Sequence, residues 1–263
     1  KENTEEQISW TAYTCSNKKW IDCRFDLNFK LIKSKKTKTE DIFSLIKLLK
    51  NINKFSPGFA RRGLDISTNL DFERNWGLGS SSTLINNISN WLNINPYELL
   101  KVTFPGSGYD IAVANTKTPI FFKKNGETNE VSETKFSPPF KENLFFVHLN
   151  KKVNSQKEVS NFLNKKNEFK DDILRINSLG KMVAKEKNQK IFNEMLKEHE
   201  DIISNVISEK PVQKTLFNDF YGQIKSLGAW GGDFILVSGD SETPKYFLKK
   251  GYNTIMPFSV MKL

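Results

Sequence analysis

Asn75-Trp76-Gly77-Leu78-Gly79-Ser80-Ser81-Ser82-Thr83-Leu84 places two glycines and a run of hydroxyls at the point where a helical pattern begins. Leu84, Ile85, Ile88, Trp91 and Leu92 recur at helical spacing, which predicts a helix running from the serines to about Asn93. The first turn of a helix leaves backbone N–H groups without partners and carries partial positive charge, so an anion settles there readily. Glycines let the backbone approach closely. Serines at a helix start cap it, donate hydrogen bonds to phosphate oxygens, or offer a hard oxygen to Mg²⁺. Alone, the stretch fits two readings: a phosphate-binding turn, or a plain turn with a good N-cap.

Two familiar nucleotide motifs do not fit. A dinucleotide-binding fingerprint needs a third glycine where Ser82 stands. It also needs an acid after a second strand, whereas Glu98 precedes the apolar run 99–104. No Gly-x-x-x-x-Gly-Lys-Ser/Thr occurs.

Two further glycine clusters change the balance. Pro105-Gly106-Ser107-Gly108-Tyr109-Asp110-Ile111-Ala112-Val113-Ala114 sets a carboxylate directly after a flexible loop. Leu227-Gly228-Ala229-Trp230-Gly231-Gly232-Asp233-Phe234-Ile235-Leu236-Val237 runs a glycine-rich loop into a strand of buried type. In kind and in order the three clusters resemble those of the GHMP kinase superfamily, which phosphorylates small metabolites such as galactose, homoserine, mevalonate and phosphomevalonate. Gly108-Tyr109-Asp110-Ile111-Ala112 looks like the defining pentapeptide of the bacterial GYDIA-type branch, relatives of mevalonate kinase. The resemblance runs from about Ile8 to Leu263, with only the three loops specific. Such kinases normally open with a strand bearing Gly-Lys…Gly-Glu, often with a catalytic lysine. The expectation is that this sequence starts downstream of that motif.

The resemblance implies an α+β, two-lobed GHMP kinase fold: a ribosomal-protein-like N-terminal lobe over residues 1–135 and a ferredoxin-like C-terminal α/β sandwich over 136–263. It also implies site roles. Gly77, Leu78, Gly79, Ser80, Ser81 and Ser82 would cradle the β- and γ-phosphates of ATP, with Ser81 at the Mg²⁺-binding serine and Glu98 as a second metal ligand, against the reading of Glu98 as an exposed helix residue. Asp110 would be the general base or would orient the acceptor hydroxyl, against a plain capping role. Ser107, Gly108 and Tyr109 would form the acceptor loop. Gly228, Ala229, Gly231 and Gly232 would close beside the phosphates, with Trp230 bulkier than the residue common in other branches.

Composition constrains the partners. The 263 residues suffice for one large domain or two lobes, and the net charge is +10. The lysines are spread along the chain, without an arginine-rich block carrying aromatics, so a nucleic-acid partner is not expected; diffuse positive charge still favours anionic nucleotides and phosphorylated metabolites. A basic RNA-binding protein would rest on charge alone. The densest run, Lys33, Lys35, Lys36 and Lys38, reads as a solvated loop. No apolar run reaches the roughly 18 residues of a membrane span and no leader is evident, so a cytoplasmic monomer or homodimer without membrane contact is expected. Cys15 and Cys23 are the only cysteines; they flank a hairpin turn and are expected to be reduced. With His148 and His199 they give no zinc spacing, and both histidines read as packing residues.

The remaining pattern is an alternation of strands and helices. Residues 8–14 and 20–29 read as a strand pair, 42–49 as an amphipathic helix, 64–72 as the strand feeding the first glycine loop, and 111–122 as a strand after Asp110. The stretch 124–140, rich in turn residues, reads as the loop between lobes. Beyond it come a strand at 144–149, helices at 155–163 and 169–185, a long helix over 191–207, a helix at 217–225, a strand at 234–238, a helix at 243–250 and a strand at 253–262. The acceptor expected is mevalonate or phosphomevalonate, with a sugar or homoserine as alternatives; a non-catalytic nucleotide- or metabolite-binding relative is the second class of reading.

Overall fold

Strict alternation in two neighbouring segments builds the first sheet. In β2 (Gln7–Tyr13) the inward residues are Ile8, Trp10 and Ala12, and in β3 (Lys19–Asp26) they are Ile21, Cys23 and Phe25. The antiparallel register sets Ile8 against Phe25, Trp10 against Cys23 and Ala12 against Ile21, so all six enter one core. Cys23 therefore faces Trp10 rather than Cys15, which is exposed, and both thiols are free.

A computed structural model describes residues 1–126, 128–152, 162, 169–228 and 230–261. The chain divides into two compact units: Lys1–Arg74, Leu78–Thr116 and Phe122–Val131 form the first, while Asn75–Gly77, Lys117–Phe121 and the chain from Ser132 onward form the second.

In the first unit, β1 (Glu2–Asn3), β4 (Leu31–Ser34) and β5 (Gly63–Asn69) complete a five-stranded sheet in the order β1-β5-β2-β3-β4. β5 runs parallel to β2 and antiparallel to β1. The basic run begins on β4, an edge strand, where exposed lysines discourage pairing with another chain. Helix α1 (Thr39–Phe55) contributes Leu45, Leu48, Leu49 and Ile52 to the core. Helices α2 (Ser80–Leu92) and α3 (Pro96–Thr103) add Ile85, Ile88, Leu99 and Leu100. Asn93 ends α2 in the left-handed conformation that Asn tolerates, and Asn95 caps α3 by accepting from the N–H groups of Tyr97 and Glu98, with Pro96 opening that helix.

The segment after Asp110 departs from expectation. It forms a short helix, α4 (Tyr109–Ala114), and a strand begins only at Ile120. Buried Ile111 and Ala112 are adjacent, which a strand with one buried face cannot accommodate, and Asn115 and Thr116 turn their side chains back to the carbonyls of Ile111 and Ala112 and end the helix. The stretch expected as an inter-lobe loop carries much of a hairpin instead: β6 (Ile120–Asn125) and β7 (Thr128–Glu133) pair through a turn with Gly126 at φ +57°.

The second unit holds an antiparallel sheet in the order β11-β8-β10-β9, made of β8 (Leu144–His148), β9 (Gln223–Ser226), β10 (Phe234–Ser238) and β11 (Ile255–Pro257). Helix α5 (Lys170–Val183) packs on α6 (Gln189–Ile207), and α6 on β9, with Phe192, Leu196 and Glu200 on its buried face. Helix α8 (Thr243–Lys249) matches expectation. The helix expected at 217–225 does not form. A short α7 (Val212–Leu216) ends there and β9 follows, because Gly222 lies so close to β10 that a Cβ on it would stand 2.2 Å from the Ser238 carbonyl oxygen. The last expected strand is only three residues long before α9 (Phe258–Met261). The helix expected at 155–163 lies outside the described residues apart from Phe162.

Candidate functional site

The first glycine loop reaches α2 through Gly79, its N-cap, at φ +70° and ψ +31°. Glycine takes this left-handed conformation without strain and brings no side chain to accept from the first turn, so the N–H groups of Ser80, Ser81 and Ser82 stand ready for another acceptor. Ser81 is exposed and Ser82 half-buried. Ser82 Oγ donates to Asp110 Oδ2 at 3.5 Å, a long contact. A Cβ on Gly79 would stand 3.3 Å from the Asp110 carboxylate. A helix tip and a carboxylate thus meet across residues 79–82 and 110, brought together by the packing of α2 on α4.

Asp110 sits in the first turn of α4 after Gly108, a left-handed N-cap at φ +88°. Gly108 is buried, and a Cβ there would press on the Tyr97 ring at 3.0 Å, with the Asn129 amide of β7 at 3.8 Å. Gly108, which has no side chain, holds the N-cap position of α4, and Asp110 stands within the first turn. Burial pushes its carboxyl above the ordinary range, against the opposing pull of hydrogen bonds with Tyr109 and Ser82. A carboxylate so placed is a stronger proton acceptor than an exposed one. Ser107 Oγ accepts from the Tyr109 N–H at 3.4 Å, and Tyr109 is 48 % exposed. Glu98 is exposed in the first turn of α3.

The approach to this loop is held by contacts that the sequence reading did not find. Arg74 pairs with Asp41 of α1 and lies 4.0 Å from the Trp20 ring, and Cys15 Sγ donates to Glu73 at 3.0 Å. The signal was an arginine and an aromatic, which no spacing connects.

In the second unit, Gly77 stands at φ +69° with the Asp233 carboxyl carbon 2.4 Å from where its Cβ would be. Trp76 lies edge-on to Phe234, and His148 is buried beside both with its ring 5.0 Å from Phe234 and 6.4 Å from Trp76, which makes it the packing residue expected. The glycine loop before β10 is strongly left-handed: Gly228 at φ +60°, Trp230 at +58°, Gly231 at +73° and Asp233 at +51°. Two of these are not glycine, and strain of this kind concentrates at functional loops. Gly232 is buried, and Ala229 lies outside the described residues. The contact of Asp233 with Gly77 is the feature sequence reasoning missed; its signal was an acid directly after Gly-Gly.

Among the described residues no three or more His, Cys, Asp or Glu side chains gather as a metal-binding group. No described helix is long and apolar enough to cross a membrane.

No protein-family model matches the chain, and no curated protein matches it. Solved structures do. The chain is similar to the mevalonate kinase of Methanococcus jannaschii at TM-score 0.66 and 18% identity, covering 97% of this chain and 85% of that one. The Lin0012 protein of Listeria innocua matches at TM-score 0.64 and 15% identity over 97% and 86%. Streptococcus pneumoniae phosphomevalonate kinase, solved with phosphomevalonate and AMPPNP, matches at 0.58 and 15% over 95% and 85%. The chain has the α+β fold of the GHMP kinases.

Proposed function

We propose that this protein is an ATP-dependent small-molecule kinase of GHMP type that transfers the γ-phosphoryl group to a hydroxyl or phosphate of a metabolite, with mevalonate or phosphomevalonate as acceptor. The observation that carries the reading is the approach of Asp110 to Gly79 and Ser82 at the tip of α2. Phosphoryl transfer asks a protein for alignment and charge neutralisation more than for covalent chemistry. The N–H groups of Ser80, Ser81 and Ser82 hold phosphate oxygens against the helix tip. Asp110 takes the proton of the acceptor hydroxyl as its oxygen bonds to the γ-phosphorus and the bond to ADP breaks. The uncapped turn and its exposed serine fit a nucleotide that arrives with Mg²⁺, and Ser81 would hold that ion, which neutralises phosphate charge; Glu98 is a weaker candidate ligand because it is exposed on α3.

Gly228, Ala229, Gly231 and Gly232 are proposed as backbone donors to the nucleotide on resemblance alone. The same holds for the acceptor role of Ser107, Gly108 and Tyr109, for the GYDIA branch, for lobes at 1–135 and 136–263, and for a cytoplasmic setting. The test is ADP release by the purified protein with Mg-ATP across mevalonate, phosphomevalonate, homoserine and several sugars. Stimulation by one acceptor supports the reading and identifies the substrate. ATP binding with no stimulation by any of them overturns it in favour of a non-catalytic relative.

A further inference from the structure

Asp110 sits on a helix of six residues, too short to hold its own position, so its place against α2 depends on tertiary ties. Ile111 and Ala112 supply the apolar ones. The polar tie lies at the other end. Asn115, which ends α4, donates from Nδ2 to Asn86 Oδ1 at 2.9 Å and to its own helix's Ile111 carbonyl at 3.0 Å. Asn86 is only 4% exposed, and on α2 it lies one turn beyond Ser82, on the same face. Two rungs therefore connect the helices: Ser82 to Asp110 at the tip, and Asn86 to Asn115 one turn deeper. The first is long and weak; the second is short, with Asn86 buried and Asn115 at the exposed end of α4.

We infer that Asn86 is a positioning residue: by fixing Asn115 it sets the height of α4 and so holds the Asp110 carboxylate at the tip of α2. This rests on the reading of Asp110 as the proton acceptor. The Asn86 amide is buried beside Ile85 and Ser89 and is costly unless bonded, so its bond to Asn115 specifies one seating of α4 where an apolar pair would tolerate several. Displacing a reacting group by about an ångström costs on the order of a hundredfold in rate.

The test uses Asn86→Leu, of the same branched shape but without an acceptor, and Asn115→Ala, which breaks the same bond from the other side together with the bond to the Ile111 carbonyl. Each is expected to lower kcat at least about tenfold while KM for ATP stays within about twofold. In an Asp110→Asn background neither is expected to cause further loss, since the group being positioned is already gone. Unchanged kcat in both variants, or an equal loss in the Asp110→Asn background, overturns the inference. A second readout does not need turnover. In a carboxyl ¹³C titration, Asn115→Ala should move the Asp110 pKa, set by its burial and by its neighbours Tyr109 and Ser82, back toward the ordinary aspartate value; an unmoved titration overturns it. If the wild-type protein phosphorylates no acceptor, the kinase reading fails, and the titration still decides the positioning of Asp110 by Asn86.

Discussion

The carboxylate of Asp233 fills the space where a side chain at Gly77 would stand, with the two nearest oxygens 2.5 and 2.7 Å from the would-be Cβ. Gly77→Ala therefore carries two penalties: a left-handed backbone that costs a non-glycine residue about 1–2 kcal/mol, and a collision with a carboxyl group. Gly231 is the control, since it has φ +73° and nothing within 4 Å of its Cβ position. Thermal unfolding should show Gly77→Ala melting well below Gly231→Ala. Equal midpoints would mean that Asp233 gives way freely.

Asp110→Asn should lower turnover by about 10²–10⁴ while leaving ATP affinity nearly unchanged, as measured by steady-state kinetics and nucleotide titration. The same variant should be more stable than the wild type at neutral pH. Burial raises the folded-state pKa of Asp110, so the folded protein binds this proton more tightly than the unfolded chain. The stability linked to that proton is fully present below the ordinary value of 3.8 and is lost as pH rises through the raised pKa. The advantage of Asn over Asp should therefore vanish in acid, and denaturant melts at two pH values would show it.

His199 gives the opposite slope. Burial and the positive charge of Lys225 lower its pKa from 6.5 to about 4, and its Nδ1 is buried without a hydrogen bond. The unfolded chain binds this proton more readily, so stability falls as pH drops from 6.5 toward 4. His199→Gln should flatten that part of the stability profile.

Glu200 is 2% exposed on α6; it accepts from Ser226 Oγ at 2.9 Å and faces Lys225 Nζ at 3.7 Å. Glu200→Ala removes the counter-charge of the largely buried Lys225 ammonium, which keeps its bond to the Ser226 carbonyl at 3.1 Å, and the acceptor of the Ser226 hydroxyl at the end of β9. Breaking a buried pair costs about 3–5 kcal/mol, with the lower end expected here because the Lys225 side chain is 22% exposed. Glu200→Gln keeps an acceptor for Ser226 and should lose less. Urea titration of both variants measures the difference.

Where one face of an element is buried and the pattern is long enough, the sequence shows the element directly. The strand pair β2 and β3, and the stripe with Phe192 and Leu196 along α6, are such cases. Reading failed where an element is short and its neighbours decide. Ile111 and Ala112 looked like a strand until the side chains of Asn115 and Thr116 closed a helix over them, and Gln223–Ser226 became a strand because β10 pairs with it. The helix tip at Ser80 was legible from the local pattern, whereas the approach of Asp110 to Gly79 comes from the packing of α2 on α4. Contacts between residues far apart in the chain, such as Arg74 with Trp20 or Asp233 with Gly77, leave no local periodicity to read.

The insertion of β5 between β1 and β2 bears on how the molecule comes into being. Partners such as Ile8 and Leu64 are more than fifty positions apart, and no hairpin can bring parallel strands together, so loop closure must be achieved before this pairing returns any stability. During synthesis the β2–β3 ribbon must wait with one margin unpaired until Asn69 has left the ribosome. Refolding of the first unit should accordingly be limited by the docking of that late strand.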